Sequence, residues 1–153
     1  MKIPGIFPVL LLAFVFGVTG IGAGQAGAAQ AAEAEFLKTR RIAEHGDANA
    51  QFQLGAMYEL GLRGAPKDET IAAEWYRKAA EQGDPRAQHS LGHMYQHGRG
   101  GLRQDKDTAM EWYAQAAEQG HLGARKNLDA MLGEQEDGQE TPRRYSKKGP
   151  RGM

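Results

Sequence analysis

Apolar residues recur along this chain at helical spacing. Ala50, Leu54, Met57 and Tyr58 share one face, and Ala72, Trp75, Tyr76, Ala79 and Ala80 share another. Both sets return 37 residues later, as Ala87, Leu91, Met94 and Tyr95, then as Ala109, Trp112, Tyr113, Ala116 and Ala117. Between 48–84 and 85–121 the register never slips, and 18 of 37 positions are identical. A period of this size marks an array of helix pairs, each unit packing only on its neighbours.

Polar punctuation sets the element bounds. Asp47 is placed to cap helix A of the first unit, which runs to about Leu60 and ends at Gly61. In the second unit Asp84-Pro85 starts helix A and Gly98 ends it, with proline at the one position that needs no N–H donor. Helix B follows Asp68 in one unit and Asp105 in the other, and ends at Gly83 or Gly120. Glu74 and Lys78 form a candidate i,i+4 pair on a solvated face. Gly55 and Gly92 sit in mid-helix, where glycine costs about 1 kcal/mol relative to alanine. The expected compensation is a tight crossing against the alanines of helix B. The Trp-Tyr pairs, in helical register, read as core rather than as a platform for ligand stacking.

The pattern A-x-x-x-L-G-x-M-Y-x-x-G, a glycine-containing loop, D-x-x-x-A-x-x-W-Y and A-A-E-Q-G closely resembles the Sel-1-like repeat, a relative of the tetratricopeptide repeat. The resemblance covers 48–121 and implies an all-α, right-handed α-solenoid of helix pairs. Each unit is slightly longer than usual, with the extra residue in the A–B loop around Leu62–Lys67 and Arg99–Gln104. Leu102 is the usual hydrophobic residue late in that loop. Ala65 takes its place in the first unit, so that loop is expected to be less well anchored.

Two units alone would leave apolar faces bare. Half-units flank them. KTRRIAEHGD (38–47) aligns with WYRKAAEQGD (75–84), with Lys38 and Thr39 in place of Trp75 and Tyr76, as a water-exposed N-terminal cap (32–47) requires. Ala124, Leu128 and Met131 begin a third helix A over 122–133, stopping at Gly133, with Asp129 in the place of the packing glycine. The ordered part is expected to be about five helices over 33–132. Residues 1–31 read as a signal peptide: Lys2, an apolar run from Ile6 to Val18, then small residues from Gly20 to Ala32. This predicts a bacterial periplasmic or secreted protein that meets the membrane only through that segment. Residues 134–153 pass from acidic to basic without apolar periodicity and read as a disordered charged tail.

Composition removes several function classes. Lys plus Arg and Asp plus Glu both number 19, so no net basic field draws in nucleic acid. Cysteine is absent, which excludes disulfides and thiolate chemistry. The two serines, Ser90 and Ser146, have no evident acid partner or oxyanion donor, and no phosphate loop is present. No catalytic residue, cofactor or metal site is assigned.

The resemblance implies that helices A line a concave binding face. The candidate partner-binding residues are Phe52, Gln53, Ala56, Glu59 and Leu60 in the first unit, and His89, Ser90, His93, Gln96 and His97 in the second. Phe52, Ala56 and Leu60 form an apolar stripe, and His89, His93 and His97 a ridge beside it. The expected function is an exported adaptor that binds a protein partner on this face. The alternative is a metal- or pH-responsive protein using the histidine ridge, with Glu59 as a possible further ligand. His45 and His121 stand isolated near helix ends and carry no assignment.

Overall fold

The computed structural model describes residues 22–136. These form six helices and, among the described residues, no strand: α1 (Gly22–Glu44), α2 (Ala48–Leu60), α3 (Glu69–Glu81), α4 (Pro85–His97), α5 (Lys106–Glu118) and α6 (Leu122–Glu136). Each packs on its sequence neighbours, α1 on α2 through to α5 on α6. The fold is the expected helical solenoid, with one helix more than the five expected. α1 begins at Gly22, inside the segment read as the signal peptide, and α6 passes Gly133 to end at Glu136. The rest of the signal segment (1–21) and of the charged tail (137–153) lies outside the described residues. Among the described residues no helix is long and apolar enough to cross a membrane.

Four aspartates start the four repeat helices. Asp47 accepts from Ala50 N–H at 2.7 Å, and Asp68 from Thr70 and Ile71. Asp84 accepts from Arg86 and Ala87, and Asp105 from Asp107 and Thr108. Each removes orphan donors from a first turn. Gly61 and Gly98 close α2 and α4, returning their N–H groups to the Met57 and Met94 carbonyls.

The core runs from Phe36 to Met94 and continues as a second cluster from Ala109 to Met131, with Tyr95 against both. Tyr76 and Tyr113 are its largest fully buried side chains. Both mid-helix glycines pack on these tyrosines, and Gly92 also meets the Ala109 carbonyl of helix B, as expected. A Cβ at position 55 would lie 2.7 Å from Tyr76 Cδ1 and Cε1, and one at position 92 would lie 2.9 Å from the same atoms of Tyr113. Trp75 and Trp112 are only half-buried beside the core. Lys78 places its ammonium 4.0 Å from the Trp75 ring centre and forms no pair with Glu74.

Buried polar groups repeat with the same period. Gln51 donates to the Ala43 carbonyl at 3.1 Å, and Gln88 to Ala80 at 3.2 Å. Gln82 donates to Gln51, and Gln119 to Gln88. The first two bonds join a helix A to the end of the helix before it, and the last two join the end of a helix B to the helix A of its own unit. Among the described residues no buried side-chain polar atom lacks a partner.

The N-terminal half-unit is less water-exposed than expected. Thr39 is buried against the array, while Lys38 stays exposed. Phe36 meets Tyr58 edge to face at 5.7 Å. The first A–B loop is also held better than its missing leucine suggests. Ala65 is buried, whereas Leu102 is only half-buried, because α1 covers the first loop and Arg63 pairs there with Glu35.

Candidate functional site: the helix A face

α2, α4 and α6 are successive helices A, so residues 37 apart fall in rows across them. One row is Gln53, Ser90 and Asn127. Another is Ala56, His93 and Ala130. A third is Leu60 and His97, at the helix ends. Gln53, Leu60 and His97 are exposed, with Leu60 at 61%; Ala56, Ser90 and His93 are half-buried.

The remaining candidates have internal partners. Phe52 lies 5.7 Å from the Tyr76 ring, and the Arg86 guanidinium lies 4.4 Å over its face. It packs at the seam of α2, α3 and α4 more than it faces solvent. Glu59 accepts from the Tyr76 hydroxyl at 2.8 Å, and Gln96 accepts from Tyr113 at the same distance. Burial, followed by the bond to Glu59, pushes the Tyr76 hydroxyl far above the usual phenol range. That hydroxyl is a structural donor.

The histidine ridge divides into two pairs. His93 and His97 lie 4.4 Å apart between ring centres. His89 instead turns to α5 and α6, 5.6 Å from the Tyr113 ring and stacked on His121 at 4.6 Å. Its Nε2 is 3.1 Å from Asn127 Nδ2. Burial, then the charge of His97 and Arg99, holds the His93 imidazole below its ordinary range, with Glu59 opposing. Glu59 is engaged by Arg99 at 3.3 Å as well as by Tyr76, so it is no free ligand. Among the described residues no group of three or more histidines or carboxylates is arranged to hold a metal ion.

Two residues matter more than the sequence reading allowed. Arg99, in the second A–B loop, makes a forked pair with Glu69 at 2.7 and 3.2 Å and also reaches Glu59. It ties the loop to both helices of the preceding unit. Its hydrogen bonds hold the Glu69 carboxyl below the usual range against the cost of burial. Gly100 makes this approach possible: at φ 61°, a Cβ there would lie 2.5 Å from the Glu69 carbonyl oxygen. His121, unassigned from sequence, accepts from Ala124 N–H at 3.0 Å and so starts α6. Its alignment with Asp47 and Asp84 was the available signal.

A shallow depression lies away from the rows, lined by Tyr95, Leu102, Arg103 and the start of α5. Its open form and mainly polar lining offer no catalytic constellation.

The family model described as Sel1 repeat matches residues 48–84 and 85–121. Among curated proteins no relative matches the chain. One similar solved structure is a protective antigen present in uropathogenic Escherichia coli strains, displaying an SLR fold. It is 38% identical with TM-score 0.60, over 65% of this chain and 21% of that one. A Sel1 repeat protein from Oxalobacter formigenes is 39% identical with TM-score 0.59, over 61% and 26%. Cysteine rich protein B of Helicobacter pylori is 27% identical with TM-score 0.57, over 61% and 68%. This chain thus spans about a fifth and a quarter of the first two.

Proposed function

Residues 48–84 and 85–121 of this chain are Sel1 repeats, and from that premise we propose that it is an adaptor that binds a protein segment across the helix A face. Sel1 repeat proteins are commonly non-enzymatic scaffolds for protein interaction. The observation that carries the reading here is the row arrangement: Gln53, Ala56 and Leu60 on α2 run beside Ser90, His93 and His97 on α4, outside the fully buried core. An apolar side chain at Leu60 and polar groups on the next helix suit a segment with mixed character. Hot spots in such surfaces are few, so two substitutions should suffice to abolish capture.

We further propose that the protein is exported, on the strength of the charged, apolar and small-residue order within 1–31. Fractionation of cells producing the tagged full chain tests this; recovery in the cytoplasm alone would refute it.

The binding reading is tested with the full chain bearing Leu60→Asp and His97→Asp. Neither side chain is in the buried core, so helicity should be unchanged. A protein captured by the original chain from an envelope extract should be lost by this variant. Equal capture by both would place the binding surface elsewhere.

A further inference from the structure

Helices α2 and α4 begin with an aspartate cap, at Asp47 and Asp84. The residue at that position for α6, one period further on, is His121. Its Nδ1 lies 3.0 Å from the Ala124 N–H, and Ala124 is fully buried. A carboxylate remains an acceptor through mildly acid pH, whereas an imidazole nitrogen accepts only while the ring is neutral.

A second imidazole is held in the same way. His89 stacks on His121 with 27° between the ring planes. Its Nε2 lies 3.1 Å from the Asn127 amide nitrogen, which only donates, so the bond forms only while that ring nitrogen carries no proton. Both rings thus act as acceptors toward α6, at the end of the helix where the dipole is positive.

The surroundings supply little to stabilise a cation. On α4, His93 is one turn from His89; Arg86 is turned away, over Phe52 and paired with Asp84. On α5, the facing group is the Tyr113 ring, whose hydroxyl donates to Gln96. On α6 it is Asn127, with Arg125 and Lys126 exposed in the first turns. Burial, then the charges of His121 and His93, holds the His89 imidazole below its ordinary range, with no carboxylate among the groups acting on it.

We propose that His89 is a pH-sensitive latch, which holds α6 on the array while its ring is neutral, stacked on His121 and bonded to Asn127, and releases it when the ring is protonated. Protonation of His89 removes the acceptor for Asn127 and sets a cation in a half-buried stack at the positive end of α6. The released state binds the His89 proton more readily than the docked state, so docking is favoured above about pH 6.5 and weakens as pH falls below it. Release uncovers the apolar surface of α5 at Met110, Tyr113 and Ala116, on which Ala124 and Met131 pack.

Amide hydrogen exchange on the full chain, corrected for the intrinsic pH effect, tests the latch. Between about pH 7.5 and about pH 5.5 the amides of Leu128 to Met131 should lose up to about tenfold in protection, while those of Leu54 to Tyr58 keep theirs. His121→Asp, the cap of the other two helices A, sets a carboxylate beside His89 and should keep α6 protected at both pH values. His89→Gln, whose side-chain oxygen can accept from Asn127 at either pH, should do the same and guards against one variant failing to fold. Equal protection of the original α6 at both pH values would overturn the proposal. So would acid loss retained in both variants, or loss shared equally by α2.

Discussion

Gly55→Ala tests the packing that sets the distance between α2 and α3. In an exposed helix this change stabilises by about 1 kcal/mol. Here the added Cβ would lie 2.7 Å from two carbons of the Tyr76 ring, where relaxed contacts sit near about 3.5–4.0 Å. The ring has little freedom to move aside: it is 2% exposed, its hydroxyl is held by Glu59 at 2.8 Å, and Phe52 packs on it. Overpacking a closed core costs about 1–3 kcal/mol, and this contact belongs in the upper half of that range. The net expectation is a loss of about 1–2 kcal/mol, the difference between the crowding cost and the propensity gain. At about 4–8 °C per kcal/mol, the midpoint should fall by roughly 5–15 °C. Urea and thermal unfolding followed by circular dichroism would measure it. Gly133→Ala is the control, because nothing lies within 4 Å of a Cβ there; it should be neutral or slightly stabilising. A Gly55→Ala protein as stable as the original, or more so, would refute the glycine–tyrosine packing.

Other substitutions follow from the repeated contacts. Gln88→Ala should destabilise by about 1–3 kcal/mol in urea unfolding, because it leaves the Ala80 carbonyl and Gln119 without their buried partner. Asp68→Ala removes the acceptor of two amides at the start of α3 and should cost about 1 kcal/mol by the same measurement. Gly100→Ala should lose about 2 kcal/mol or more, from the positive φ and the approach to the Glu69 carbonyl, and loosen the loop that carries Arg99. Although burial opposes its charge, the bonds from Arg86 and two backbone amides hold the Asp84 carboxyl below its ordinary range. That contribution is present above about pH 4 and lost as pH falls through the lowered value; in an acid titration of stability, Asp84→Asn should remove it.

The period and the cap residues were enough to place four helices to within a residue or two, since Asp47, Asp68, Asp84 and Asp105 all start helices as expected. Local signals of this kind depend on nearby chain alone. What sequence reading missed depends on which neighbour fills a space. Gly55 meets a tyrosine ring because Tyr76 reaches across from α3, and no local pattern distinguishes that from an alanine contact. Polarity at Thr39 and small size at Ala65 suggest exposure and loose anchoring, yet both are buried, Thr39 on the array side of α1 and Ala65 in the loop that α1 covers. The helix A face was legible in its exposed members, Gln53, Leu60 and His97. Phe52 and His89 share its helical spacing but are drawn into seams by Arg86, Tyr113 and His121. Helical spacing gives a direction from the axis; it does not say how far the next helix extends over that direction.

Site-specific photo-crosslinking in intact cells tests the adaptor reading most directly. A short-range crosslinker would be placed singly at Leu60 and His97 on helices A, and at exposed Glu74 and Glu111 on helices B. The account predicts a discrete protein adduct from Leu60 and His97 and none from Glu74 or Glu111. Adducts confined to Glu74 and Glu111 would contradict it, and so would equal labelling from all four positions.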